Sequence, residues 1–333
     1  ETAPNPCYIL NMAKLKSNLE IVAKIRKESG VKILLALKSF AMWNIFPWMK
    51  PYLDGVAASS LYELQLGFEY FGKECHFYSP AIQKKDIQQI VSQADHVVLN
   101  SISQLNALHG ILNRDQNIAL RVNLQENSGT NPLYNPSSTF SRFGVTLSEW
   151  DDAVIAKITG LHFHNLCQSQ FSSLAQSVQT FEAKFGKFLH QLEWVNLGGG
   201  HMLCSDDYDV QGLITLLKRL KSTYNLQVYL EPGEGLLEQT GYLSAEVIDI
   251  VSNEKKIALL NISATAHMPD VLEMPYRPDI LEEDTNGAYS YIVGSNTCLT
   301  ADIMGEYTFT KPLEIGDVLH FDNMMQYLSL IHI

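Results

Sequence analysis

No stretch of this 333-residue sequence is long and apolar enough to suggest a membrane span, and the opening ETAPNPCYIL lacks the basic start and apolar run of an export signal. Basic residues are scarce. The 24 Lys and Arg face 36 Asp and Glu, a formal charge of -12 that argues against a nucleic-acid partner and mildly favours cationic small molecules. The five cysteines (Cys7, Cys75, Cys167, Cys204, Cys298) are scattered and form no C-x-x-C pair. They suggest neither a disulfide framework nor a zinc site, and a cytoplasmic location is expected. Low-complexity tracts and Gly/Ser linkers are also missing, so domains are expected to pack tightly. The chain starts without methionine, and part of its amino terminus is expected to be absent. Apolar residues are plentiful: at 46% they can build a large core, expected as one big domain plus a smaller one.

Short apolar segments recur along the chain, each closing in polar or glycine residues. They are ILLALK to Lys38, DGVAASS to Ser60, CHFYSP to Pro80, HVVLNS to Ser101, IALRVN to Asn123, ITGLHFHN to Asn165, WVNLGGG to Gly200 and VYLEPGE to Glu234. Between them, Leu61 to Phe71, Asp86 to Gln93, Ile102 to Leu112 and Gln170 to Leu189 carry apolar residues at three- and four-residue spacing, which predicts amphipathic helices. Eight such units predict an α/β fold, a closed (β/α)8 barrel of the TIM type, whose catalytic groups gather at the carboxyl ends of the strands.

The polar stretch Leu124 to Val145 interrupts the fifth unit and is expected to overhang the barrel mouth. After Gly235 the rhythm becomes β-type, with strands expected at Tyr242 to Val251, Lys256 to Ile262, Ala288 to Val293, Glu306 to Phe309 and Val318 to Phe321. The expected division is a barrel over residues 8–235 and a C-terminal all-β domain over 236–333, with residues 1–7 packed against the latter.

At the strand ends, Lys38 follows the buried run VKILLAL, where desolvation would make its amine nucleophilic. Taken alone it reads more readily as a strand-terminal lysine reaching for water. Gly198-Gly199-Gly200 offers an anion-binding turn or simply a tight one. Glu231 in Glu231-Pro232-Gly233-Glu234 would suit the protonated nitrogen of a pyridine ring, or be a solvated loop acid. His162 and His164 project the same way from a strand. That spacing also serves metal-dependent hydrolases, but the other strand ends lack the further Asp and His ligands such a centre needs, so no metal is expected. Together the set suits pyridoxal phosphate.

Leu37-Lys38-Ser39, Gly160-Leu161-His162-Phe163-His164, Gly198-Gly199-Gly200 and Glu231-Pro232-Gly233, in that order, resemble the fold type III pyridoxal-phosphate decarboxylases. More narrowly, Tyr134-Asn135-Pro136 with Ser141-Arg142-Phe143-Gly144-Val145, the segment His267 to Pro278, and Thr297-Cys298-Leu299-Thr300-Ala301-Asp302 are similar to carboxynorspermidine (carboxyspermidine) decarboxylases. The resemblance implies that Lys38 bonds the cofactor, His164 stacks on its ring, Glu231 pairs with its nitrogen, Gly198 to Gly200 cradle its phosphate and Tyr327 supports that phosphate. It implies a homodimer with shared sites, Cys298 donating a proton in the neighbouring subunit's site. The implied activity is decarboxylation of a carboxylated polyamine in polyamine biosynthesis, with Glu234, Asp270, Glu273 and Asp302 as candidates for binding the substrate.

The sequence departs from the wider family in two places. Diaminopimelate and ornithine decarboxylases carry arginine after Glu-Pro-Gly, where this chain has Glu234, and the ending Leu328 to Ile333 differs from the family's aromatic-Asn-Gly stretch. An acid at 234 would repel a distal carboxylate and attract an amine. The alternatives are a decarboxylase of another basic amino acid (diaminopimelate, ornithine), an amino-acid racemase, or a regulator that has lost its cofactor. Racemases of this fold face the pyridine nitrogen with arginine rather than glutamate.

Overall fold

The computed structural model describes residues 4–112, 117–126 and 134–327. The chain enters through β1 (Cys7–Leu10) and then builds a closed parallel barrel. The barrel strands are β2 (Lys32–Ala36), β3 (Gly55–Ala58), β4 (Glu74–Tyr78), β5 (His96–Leu99), β6 (Asn117–Arg121), β7 (Gly160–His162), β8 (Trp194–Asn196) and β9 (Gln227–Leu230). Each pairs with the next, and β9 closes onto β2. The eight apolar segments of the sequence are these eight strands. Ile33, Leu34 and Leu35 on β2 are fully buried, as a strand covered on both faces requires.

The helices begin where side chains can satisfy their free N–H groups. Ser60 caps the helix Leu61–Leu66, its oxygen accepting from the Glu63 N–H, while the Glu63 carboxylate accepts from the Ser59 N–H. Ser101 and Asp209 do the same for Ile102–Leu108 and Val210–Tyr224. The helix Phe171–Leu189 buries Leu174, Val178, Phe181, Phe185 and Phe188, the spacing that lays one stripe on the barrel. The stretch after β6 returns to the barrel: Val145 bridges Val122, and Asn123 donates through its amide to the Phe143 carbonyl at 2.9 Å. Residues 127–133 of that expected overhang lie outside the described residues.

Contacts divide the chain into two compact units, Ser17–Leu236 and, among the described residues, 4–16 with 237–327. In the second, β10 (Gly241–Asn253) pairs antiparallel with β1, with β11 (Lys255–Leu260) and with β14 (Val318–Phe321). β11 runs parallel to β12 (Tyr289–Gly294), which pairs antiparallel with β13 (Ile303–Phe309). Tyr291, Tyr307 and Phe321 fill its core. The atypical ending, 328–333, lies outside the described residues. Among the described residues no helix is long and apolar enough to cross a membrane.

Candidate active site

Four of the sequence motifs stand at the ends of four consecutive barrel strands, β7, β8, β9 and β2. The parallel ladder continues past the strands and fixes their spacing. Phe163 donates to the Asn196 carbonyl at 3.0 Å, Leu197 to Tyr229 at 3.0 Å, Glu231 to Gly198 at 2.8 Å and Ala36 to Pro232 at 3.1 Å. Beyond Ala36 the chain turns sharply, since both the Ser39 and the Phe40 N–H groups point back to the Ala36 carbonyl. Lys38 is the residue that this turn places at the mouth. Its amine is pushed below the usual lysine range by burial first and the Arg121 charge second; Glu231 and Glu63 oppose the shift.

The Glu231 carboxylate is held by side chains from β8 and β7. The Asn196 amide donates to Oε1 at 2.6 Å, and Nε2 of His162 lies 3.5 Å from Oε2. Burial would raise the pKa of Glu231, but His162 first, then the charge of His76 and the Asn196 hydrogen bond outweigh it and hold the group at about 2. It is therefore an anion at neutral pH. Oδ1 of Asn196 accepts from the Gly198 N–H at 2.9 Å, so its amide nitrogen can only face the carboxylate. His162, stacked on Tyr78 at 5.6 Å between ring centres, is lowered by burial, against the pull of Glu231.

The glycine turn is tight because the backbone beyond β9 and beyond β7 approaches it closely. A Cβ on Gly199 would stand 2.0 Å from the Glu231 carbonyl, and Gly200, at φ +85°, would meet the Leu166 carbonyl at 2.0 Å. The Gly199 N–H donates to Nδ1 of His164 at 3.0 Å, which places the remaining ring proton on Nε2 of a neutral imidazole. Burial, then the Lys38 charge, lowers the His164 pKa well below the histidine range. Among the described residues the Gly200 and His201 N–H groups find no acceptor, and the buried Ser39 hydroxyl has no partner.

Three groups at this mouth escape a reading by motif. Arg121, buried at the end of β6, lies 4.7 Å from the rings of both Tyr78 and Phe143 and donates to the His164 carbonyl at 2.7 Å. Asn196 carries a findable signal, standing two residues before the glycines and so on the same face. Glu63 looks like an ordinary capping-box acid, yet it senses Lys38. Burial raises its pKa from 4.5 to about 7, against the Ser59 N–H and the lysine. The folded chain thus keeps a proton that the unfolded chain releases, and this contribution to stability is lost as pH rises from 4.5 to about 7. Glu63→Gln retains the cap, so its melting temperature relative to wild type is expected to climb across that window. A constant difference from about pH 5 to about pH 7 would contradict the assignment.

The other candidates are differently placed. Glu234 opens the short helix Glu234–Leu237 and accepts from the Gln168 amide at 2.7 Å. In the β unit, Cys298 and Glu273 are exposed, Asp270 begins the helix Asp270–Glu273, and Tyr327 is half-buried with φ +52°. Asp302 is buried and accepts from the Ala264 N–H at 2.8 Å and the Thr297 hydroxyl at 2.7 Å, bonds that tie two loops of that unit together.

The barrel mouth fits a flat, phosphate-bearing aromatic aldehyde. Unpaired N–H groups and an orphaned hydroxyl suit an anion, a desolvated lysine suits an aldehyde, and a buried carboxylate suits a protonated ring nitrogen. Barrel and site define a fold with a mouth suited to such a coenzyme, and the family comparison points to the same class. A family model for the pyridoxal binding domain of pyridoxal-dependent decarboxylases matches residues 13–236. The chain belongs to the pyridoxal-dependent decarboxylase family. It is 39% identical to a carboxynorspermidine/carboxyspermidine decarboxylase of Campylobacter jejuni, over 98% of this chain and 89% of that protein. It is 38% identical to a carboxyaminopropylagmatine decarboxylase of Synechocystis, over 97% and 85%. The crystal structure of the carboxynorspermidine decarboxylase from Campylobacter jejuni, complexed with norspermidine, superposes with a TM-score of 0.90 at 38% identity, covering 98% of this chain and 89% of that one. The decarboxylase resemblance read from the motifs therefore holds.

Proposed function

We propose that this chain decarboxylates carboxynorspermidine or carboxyspermidine, yielding norspermidine or spermidine, with pyridoxal phosphate held at the barrel mouth. The observation that carries the reading is Glu234, three residues after Glu231, where an acidic side chain suits a cationic polyamine tail and opposes a second carboxylate. The relatives named for carboxylated polyamines support it.

Pyridoxal phosphate supplies an electron-poor ring that takes up the electron pair left as carbon dioxide departs. The protein's part begins with Lys38, whose lowered pKa enlarges the fraction of free, nucleophilic amine near neutrality. Glu231, held anionic by Asn196 and His162, would keep a proton on the ring nitrogen. His164, neutral and fixed by Gly199, offers a flat face for stacking, and Gly200 with His201 offers N–H groups to the phosphate. The roles of Tyr327 at the phosphate and Cys298 as proton donor, and a homodimer with shared sites, are inferred from the sequence resemblance.

Carbon dioxide release from purified, coenzyme-loaded protein tests the substrate. Carboxynorspermidine and carboxyspermidine are expected to be turned over with kcat/KM at least about tenfold above that for diaminopimelate. Preference for diaminopimelate would move the chain to the sister activity. The Synechocystis relative supports a second reading, in which Glu234 receives a guanidinium tail, and carboxyaminopropylagmatine belongs in the same assay.

A further inference from the structure

A second polar cluster lies inside the barrel at the end of the strands away from Lys38. Glu74 opens β4 and His76 stands two residues on, so both side chains leave the same face. His96 opens β5, and the parallel register sets it directly beside His76. The two imidazoles face the barrel-filling rings: His96 lies 4.8 Å from Trp194 and His76 4.6 Å from Tyr229. One ligand atom from each of Glu74, His76 and His96 lies within 4.8 Å of the others.

Their hydrogen bonding is incomplete. Among the described residues, both nitrogens of His76, Nδ1 of His96 and Oε2 of Glu74 are buried without a partner. His76 and His96 themselves are 1% and 5% exposed. Native interiors rarely tolerate such a concentration of unpaired polar atoms. Lys32 engages Oε1 of Glu74, while Oε2 faces Nε2 of His76 at 3.7 Å, too far for a hydrogen bond. The Lys32 and Glu74 side chains are 36% and 29% exposed, so the cluster opens to solvent at the amino-terminal rim of the barrel.

We propose that Glu74, His76 and His96 form a binding site for one divalent transition-metal ion of the Zn2+ type, structural in role and separate from the chemistry at the opposite strand ends. Two imidazoles and a carboxylate oxygen are a donor set that zinc accepts, with water from the rim as a fourth ligand. The imidazole rings lie 3.8 Å apart at 11°, which stacks their nitrogens instead of converging them. Binding therefore turns one ring out of the stack to bring the donors to about 2.0 Å from the ion. Lys32 competes for the carboxylate by charge, so removing its ammonium strengthens the site.

The experiment titrates chelator-treated holoenzyme with Co2+ and Zn2+. One Co2+ per chain with tetrahedral visible bands is expected, together with a melting temperature that rises with Zn2+. His96→Gln and Glu74→Gln are expected to weaken Co2+ binding by at least about tenfold and to abolish the Zn2+-dependent rise in melting temperature, whereas Lys32→Gln tightens binding. Should His96→Gln fail to fold, His96→Phe preserves the ring stack and serves in its place. Co2+ binding unaltered by these substitutions, or no stoichiometric binding by wild type, would overturn the site. A purely structural role for Lys32 would likewise be exposed if Lys32→Gln left Co2+ affinity unchanged.

Discussion

Lys38→Ala is expected to lower decarboxylation by at least about a thousandfold, roughly 4 kcal/mol of barrier, and to erase the near-visible absorbance of a lysine-bound pyridoxal coenzyme. The reason is positional. Lys38 is thrown to the mouth by the turn after β2, and burial with the nearby Arg121 charge is what frees its amine. Neither effect survives replacement by a methyl group. Mixing Lys38→Ala with Cys298→Ala subunits extends the test to assembly. If each site takes its lysine from one subunit and its cysteine from the other, random pairing should restore about a quarter of wild-type activity. An unchanged absorption spectrum in Lys38→Ala would remove this lysine from the mechanism, and no recovery on mixing would remove the shared site.

Glu231→Gln is the second large effect. Glutamine preserves shape and can still accept from Asn196, but it carries no charge to hold a proton on the ring nitrogen. A drop in kcat of about a hundredfold or more is expected, with KM much less affected, because the lost interaction acts on charge that develops during reaction. The carboxylate sits at about 2, so no protonation of Glu231 should appear in the activity profile between about pH 5 and about pH 9. Equal activity in Glu231→Gln would assign the ring-nitrogen role elsewhere.

The barrel was legible because a strand covered on both faces leaves an uninterrupted apolar run, and each run here stops where the chain meets the mouth. VKILLAL before Lys38 and the segment ending in Gly198-Gly199-Gly200 mark their strand ends without any tertiary information. The β-rich second unit was legible for a different reason, since its β-type segments follow one another without long helices between them, down to the strand Val318–Phe321. Arg121 was not. It follows an apolar run just as Lys38 does, and only the ring of Tyr78 and the His164 carbonyl beside it show that its charge is buried, where it acts on the lysine. Glu63 was hidden by a local explanation, since Ser60 caps the helix and Glu63 reaches back to the Ser59 N–H whether or not a lysine is near.

The barrel strands, the class of fold and the decarboxylase family were legible in the sequence itself, because hydrophobic periodicity and strand-end motifs are properties of neighbouring residues. Which acid is charged and which is protonated was decided by tertiary structure alone. Glu231 and Glu63 are the same residue type, yet one is held at about 2 and the other is raised to about 7. A pKa depends on burial and on charges a few ångströms away, and barrel closure brings those together from distant parts of the chain.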